Sequence, residues 1–469
     1  MNSMTKEELQ FQKMIKTPVK KLVLSLGFPT TITMLVTSIY SIADTYFVSQ
    51  LGKSASGAVG VVFSLMAIIQ AIGFTFGMGG SSIISSLLGQ KEDKKAQIYG
   101  SSAFYFALFL GIIIGLLSII LMDNILVLLG ATETVLPYAE DYVLYIAIGA
   151  PILTGSFVMN NILRSEGKAR LAMIGITTGA ILNIILDPIF INEWGLNLGI
   201  SGAGIATIIG QGVSFIILLS MFIFKKSIIK LAITKVSFNI KVYLEIIKVG
   251  FPSLARQGLA SFATILLNRQ AGLFGGDEAL SAMTIVSKIF MIIFAASLGI
   301  GQGYQPVVGY NYFAKEYKRA KEAMFFTYIV AMSTMTVISC VIFIFAKNII
   351  RMFINDNDVI NIGSLALRFQ CIALPFLSLN TICNMTYQST RRPFKSTFLS
   401  CCRQGLFFIP LIFILPLIFK SSNLGSIVGV ELTQPLSDVL TFLISIPFFI
   451  SIVKDLNKKI NNKEKIMQD

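Results

Sequence analysis

Long apolar runs broken by short polar stretches follow one another along nearly the whole chain. Each run is long enough to cross about 30 Å of hydrocarbon as a helix, and none shows the alternation of a half-buried strand. The pattern predicts twelve helices near 20–50, 55–88, 97–122, 135–162, 171–192, 201–224, 243–274, 279–312, 321–346, 358–388, 396–419 and 425–453. Several exceed the roughly 20 residues that a perpendicular span needs, so tilting, kinking or protrusion beyond the lipid is expected. Pro29, Pro151, Pro252, Pro375 and Pro447 interrupt these patterns and are the expected kinks.

The polar punctuation occurs twice. Gly27-Phe28-Pro29 returns as Gly250-Phe251-Pro252 in the second half of the chain. Gly77-Met78-Gly79 returns as Gly301-Gln302-Gly303, and Lys91-Glu92-x-Lys94-Lys95-Ala96 as Lys315-Glu316-x-Lys318-Arg319-Ala320. The last two pairs share one spacing, and a single inserted residue accounts for the slightly shorter spacing of the first. Six predicted spans precede the basic segment from Lys225 to Lys248 and six follow it. The expected fold is an all-α polytopic membrane protein, with twelve transmembrane helices in two pseudo-symmetric six-helix lobes. Its expected parts are an N-lobe over 1–224, a basic linker over 225–242, a C-lobe over 243–453 and a polar, mobile tail over 454–469. An even number of spans between repeats keeps their orientation, so the lobes are expected to be parallel repeats related by an axis along the membrane normal.

Composition supports the membrane reading: 54% of residues are apolar and 13% charged, against about 25% charged in a typical soluble domain. The first twenty residues are polar and Lys-bearing, and the apolar run after them is too long for a signal peptide, so no cleavable leader is expected. The net charge of +14 changes the picture only through its placement. With odd and even loops assigned to opposite sides, one side carries 29 Lys and Arg and the other only four, Lys53, Lys347, Arg351 and Lys420. The positive-inside rule then puts both termini in the cytoplasm of a multi-pass protein of the cell (inner) membrane, and the basic charge needs no nucleic-acid partner.

The chain has no histidine, which removes His triads, His metal sites and histidine proton relays together. Its five cysteines lie in apolar runs without metal-ligand spacing and read as small buried hydrophobes. Any proton that moves through the protein must travel on carboxylates.

Ionisable residues inside spans are costly and therefore functional candidates. Asp44 falls in the middle of the first span, with no neighbouring base in sequence. Asn183 and Asp187 share one face of the fifth, and Pro188 removes a backbone donor and frees a carbonyl one turn earlier. A carboxylate, an amide and a freed carbonyl together suit a proton or a small hard cation, and withdrawal of a carboxyl from water favours proton uptake in general. Asn160 and Asn161 are polar neighbours near the end of the fourth span, and only one of them can share the Asp187 face. In the second lobe Leu267 and Asn268 stand where Asp44 repeats, and Asp438 is its one clearly intramembrane acid. Lys288 or Arg403 is expected to pair with Asp438, while Arg269, Arg368, Asp141 and Glu431 read as snorkelling residues at span ends. A cavity lined by some of the 37 Phe and 18 Met would suit flat hydrophobic cations.

At these motifs the chain resembles a known family. Tyr40-x-Ile42-x-Asp44-x-x-Phe47-Val48-x-x-x-Gly52 resembles the first-helix pattern of the multidrug and toxic compound extrusion (MATE) family. So do Leu163-Arg164-Ser165-x-Gly167, Asn183-Ile184-Ile185-Leu186-Asp187-Pro188, Gly202-Ala203-Gly204-Ile205-Ala206-Thr207 and Gln305-Pro306-Val307-Val308-Gly309-Tyr310-Asn311. The set is most similar to the DinF/MepA-like bacterial branch. That resemblance implies two six-helix lobes that export amphipathic, mostly cationic small molecules in exchange for inward H⁺ or Na⁺; no cofactor is expected beyond the coupling ion, and two lobes in one chain make a functional monomer sufficient. It implies Asp44, Asn183 and Asp187 as the cation-coupling site, the place for Na⁺ if that is the coupling ion. Asn160 and Thr207 are weaker candidates, beside Asn268, Lys288, Arg403 and Asp438 from the residues themselves. Two rival classes differ in chemistry. A flippase for lipid-linked oligosaccharides or other anionic metabolites would use Arg256, Lys288 and Arg403. A polytopic membrane enzyme would need an acidic metal cluster or a histidine base, and the sequence has neither.

Overall fold

The computed structural model of the protein describes residues 5–420 and 425–468, and among these there is no strand. A short amphipathic helix, α1 (Lys6–Lys16), begins at Thr5, whose hydroxyl accepts the Glu8 N–H at 3.2 Å. Then come α2 (Val19–Ser49), α3 (Lys53–Gly89), α4 (Asp93–Ile120), α5 (Met122–Leu128), α6 (Leu136–Ser165), α7 (Ala169–Ile191) and α8 (Gly199–Ile223). The second half holds α9 (Ile240–Phe313), α10 (Tyr317–Arg351), α11 (Asn357–Ser389) and α12 (Pro393–Cys401). A π-helical turn (Cys402–Phe407) joins α12 to α13 (Phe408–Phe419), and α14 (Ser426–Gln468) closes the chain.

Among the described residues, eleven helical segments are long and apolar enough to cross a membrane, with α12 to α13 counted as one. The 74-residue α9 contains two of the expected spans, run together except at Gly276, where φ 64° and ψ −158° break the helix. Only glycine adopts that conformation without strain, so this one residue divides the two spans and brings the total to twelve. Three features depart from expectation. The helices α1 and α5 lie in stretches read as polar or connecting. The end of the chain is not a loose tail, because α14 stays helical to Gln468. Its polar face is tied down: Asp455 pairs with Arg392 at 2.5 Å, Lys463 with Glu316 at 2.9 Å, and Lys459 donates to the Tyr312 hydroxyl at 2.6 Å.

The repeat is visible in the backbone itself. Lys91 and Lys315, equivalent positions of the two repeats, both end a helix at φ 61°, and the equivalent pair Gly167 and Arg391 do so at 77° and 57°. The Asn160 amide donates to the Ala172 carbonyl at 3.0 Å, and its repeat equivalent Asn384 donates to the Ser396 carbonyl at 2.7 Å. The same device thus joins α6 to α7 and α11 to α12. Asn160 belongs to this scaffold and makes no contact with Asp44, Asn183 or Asp187 through that bond.

The two lobes share a hydrophobic core at one end. The largest hydrophobic core mixes both halves, with Leu26, Ile83 and Val158 beside Val249, Tyr304 and Ile382. Toward the opposite face the cores separate. One is built of first-half residues such as Val48, Val62, Tyr142 and Ile200. The other is built of second-half residues such as Leu267, Val286, Leu374 and Ile412, with Leu35 the first-half side chain packed on it. At the shared end the repeated glycines cross over: Gly303 lies against Gly27, and Gly79 lies against Gly250 and the Ile246 carbonyl. These are the two contacts that a two-fold swap of the repeats would generate.

The shared end is also the basic one. There α1 reaches the 90–93 turn through the Lys91–Glu8 pair at 3.2 Å, and α10 reaches the start of α2 through Arg319, which donates to the Thr17 carbonyl at 2.6 Å. The segment between the lobes is docked there too. Buried Glu166 accepts the N–H groups of Ile228 and Ile229, each at 2.9 Å, and pairs with Lys168 at 3.0 Å.

Candidate functional site

Expected in mid-span, Asp44 instead stands five residues before the end of α2, on the side where the lobes part. Four residues before the end of α7 stands Asp187, and Asn183 lies one turn earlier on the same face. Tyr142 near the start of α6 and Thr207 near the start of α8 meet them, since both helices begin at that face. The N-lobe therefore gathers the group in its half remote from the closed basic end.

The contacts are specific and incomplete. The Tyr142 hydroxyl donates to Asp44 Oδ2 at 3.0 Å. Asn183 Nδ2 donates to Asp187 Oδ1 at 3.2 Å and to Thr207 Oγ1 at 3.3 Å. Asp44, Asn183 and Asp187 are 2%, 2% and 0% exposed, and among the described residues Asp44 Oδ1, Asn183 Oδ1 and Asp187 Oδ2 have no hydrogen-bond partner. The two carboxyl groups are near enough for the charge of one to act on the other. Among the described residues no Lys or Arg forms an ion pair with either. A buried carboxylate without a counter-charge is costly, so the pair needs a positive partner from outside. Three free oxygens of carboxylate and amide type suit a proton or a small hard cation.

Tyr142 escaped the sequence reading because a tyrosine near the end of a span looks like an interfacial anchor. Tyr40, part of the quoted motif, also lies buried beside Thr207 and Gln211.

The C-lobe residues arrange themselves differently. Of the two cations considered for Asp438, Arg403 takes it, with Nε–Oδ1 at 2.7 Å and the guanidinium 4.9 and 5.1 Å from the rings of Phe290 and Phe294. Gln434 and Gln370 donate to the same carboxylate at 2.8 and 3.4 Å, which closes the network. Lys288 is half-buried and apart from this pair. Asn268 is half-buried, and among the described residues its Oδ1 is unpartnered. Glu431, expected to snorkel at a span end, is instead buried, and among the described residues its Oε2 is unpartnered. It occupies the position that repeats Thr207, so the C-lobe holds a second enclosed acid. Arg164, expected in a loop with the other cytoplasmic cations, is buried inside α6 and bonds to Gln302 of the other lobe.

Comparisons with known proteins bear on the family and the fold. The chain is 27% identical over 401 residues to the Multidrug export protein MepA of Staphylococcus saprophyticus, covering 85% of this chain and 88% of that one. It is 26% identical over 406 residues to the protein of the same name from Staphylococcus aureus (strain MSSA476), covering 86% and 89%. A crystal structure of MATE in the straight conformation superposes with a TM-score of 0.89 at 25% identity, over 97% of this chain and 100% of that one. The MatE family model matches residues 29–189 and 252–414, one block in each lobe. With most of its length matched in two blocks that coincide with the observed repeat, the chain belongs to the MatE family of membrane transporters.

Proposed function

We propose that this protein is a multidrug efflux antiporter of the cell membrane, exporting amphipathic, mostly cationic compounds in exchange for inward H⁺ or Na⁺. The observation that carries the reading is the pair of buried carboxylates, Asp44 and Asp187, each with one oxygen unpartnered and neither with a basic residue beside it among the described residues. Such a pair is stable only when charge-compensated, which makes the occupancy of the site depend on the ion supplied from outside. The relatives named as multidrug export proteins support the class of cargo.

Lobes that share a core at the basic end and separate at the other make an outward-open vestibule if the basic face is cytoplasmic, as the positive-inside rule requires. The coupling ion enters from that side and binds Asp44, Asn183 and Asp187. Neutralisation removes the repulsion between the two carboxylates and lets α2, α6 and α7 repack, which releases the drug outward. Return to the inward-facing state delivers the ion to the cytoplasm. The rival flippase reading loses one of its cations, because the charge of Arg403 is matched by Asp438.

The test is uptake of a fluorescent cationic dye into liposomes holding the purified protein, under a pH gradient and a Na⁺ gradient applied separately. The antiport reading expects dye movement under one gradient, lost in Asp44→Asn and in Asp187→Asn. No movement of any cationic dye under either gradient would overturn it, and anionic lipid-linked cargo would become the reading to try.

A further inference from the structure

We propose that a small pocket between the lobes, at the basic face, binds a monovalent inorganic anion of chloride size. The pocket lies among Ser82, Ser85 and Arg164 of the first lobe and Gln302 and Gln305 of the second, and it has room for a single water-sized particle.

The charge balance selects the occupant. Arg164 is 5% exposed, and no carboxylate pairs with it among the described residues or acts on its charge. Its Nη1 donates to Gln302 Oε1, and its Nη2 donates to Asn161 Oδ1 and lies 3.9 Å from Met78 Sδ. A guanidinium can only donate, so Gln302 must turn its oxygen toward Arg164 and leave its amide N–H₂ over. Arg164 Nε, Gln302 Nε2 and Ser82 Oγ are all buried without a hydrogen-bond partner among the described residues. The residues around the pocket thus hold surplus donors and one positive charge without a carboxylate partner among the described residues. A cation is repelled, and a water molecule satisfies a donor but leaves the charge unmatched. An anion does both.

Position gives the site a consequence. Ser82 and Arg164 belong to the N-lobe and Gln302 to the C-lobe, so the donors converge only while the lobes are closed at this face. An anion bound there favours this arrangement over the one open at the basic face, because only one of the two presents the complete site. The inference stands independently of which ion drives transport.

The experiment compares thermal unfolding of the purified full-length protein in chloride, bromide and gluconate at equal ionic strength. Chloride and bromide are expected to raise the Tm saturably, and gluconate to leave it unchanged. Gln302→Glu places a carboxylate against Arg164, so this variant should fold and show no halide shift. Arg164→Gln alone is a weaker test, since its loss can disrupt the interface, and Ser82→Ala is expected to right-shift the chloride titration without unfolding the protein. A bromide soak of crystals should put an anomalous peak in the pocket beside Arg164, Ser82 and Gln305. The proposal is overturned if the natural protein has the same Tm in chloride and gluconate. It is equally overturned if Gln302→Glu keeps the full shift, which would mark a general salt effect.

Discussion

Gly303 lies against the backbone of Gly27 with no room between them for a side chain on Gly303. The reverse is not true, because a methyl group on Gly27 would meet only the Ile300 carbonyl, at 4.0 Å. Two residues of one contact therefore predict opposite outcomes. Overpacking of a tight interface costs about 1–3 kcal/mol, so Gly303→Ala should shift the balance about 5- to 150-fold away from the arrangement closed at the basic face. Gly27→Ala should leave it nearly unchanged. Labelling of single cysteines placed at the basic end would read the difference, and equal labelling of both variants would contradict it.

Among the described residues, Tyr142 supplies the one hydrogen bond that Asp44 receives from a side chain, at 3.0 Å. The donor stabilises the free carboxylate more than the ion-bound one, and bonds to charged groups are worth about 1.5–3 kcal/mol. Tyr142→Phe should therefore lower the concentration of coupling ion at half-maximal transport by about tenfold or more. Slower ion release should reduce turnover at the same time. An increase in that concentration would show that the hydroxyl serves the bound state instead.

The Arg403–Asp438 pair is buried, held at 2.7 Å and enclosed by Phe290 and Phe294. Removal of one partner strands the other charge, at a cost of about 3–5 kcal/mol. Arg403→Gln and Asp438→Asn should each lower the unfolding temperature markedly, and the double variant should recover much of the loss. A double-mutant cycle by calorimetry measures the recovery. Strict additivity of the two losses would mean that the groups do not depend on each other.

Glu166 holds the segment between the lobes through two backbone N–H groups and Lys168. Glu166→Ala should release the stretch around Ser227 to Ile229 and expose it to limited proteolysis several-fold faster than in the natural protein. The lobes should stay folded, because that segment lies outside the spans. Unchanged cleavage would show that Ser101 and Ser102, which also bond to the segment, suffice.

How much of this was legible in the chain follows from the range of the forces involved. Membrane insertion reads local hydropathy, so the spans, the two lobes and the one-sided basic charge were all apparent from residue order. The break between the first two C-lobe spans was legible as a gap, and the structure assigns it to Gly276 alone. The helical end of α14 was not legible, because its stability comes from Tyr312, Glu316 and Arg392, which are distant in sequence.

By itself the sequence determined that this is a duplicated all-α membrane transporter with unusual acids in its first lobe. An intramembrane carboxylate is conspicuous wherever it occurs, so Asp44 and Asp187 could be named without a structure. Only the tertiary structure decided which polar groups meet. It brought Tyr142 to Asp44, assigned Asn160 to the scaffold bond with Ala172, matched Arg403 to Asp438 and enclosed Arg164 against Gln302. A charge in a sequence carries no sign of its partner. Its cost is set by the groups within a few ångströms, and helix packing between distant segments is what puts them there.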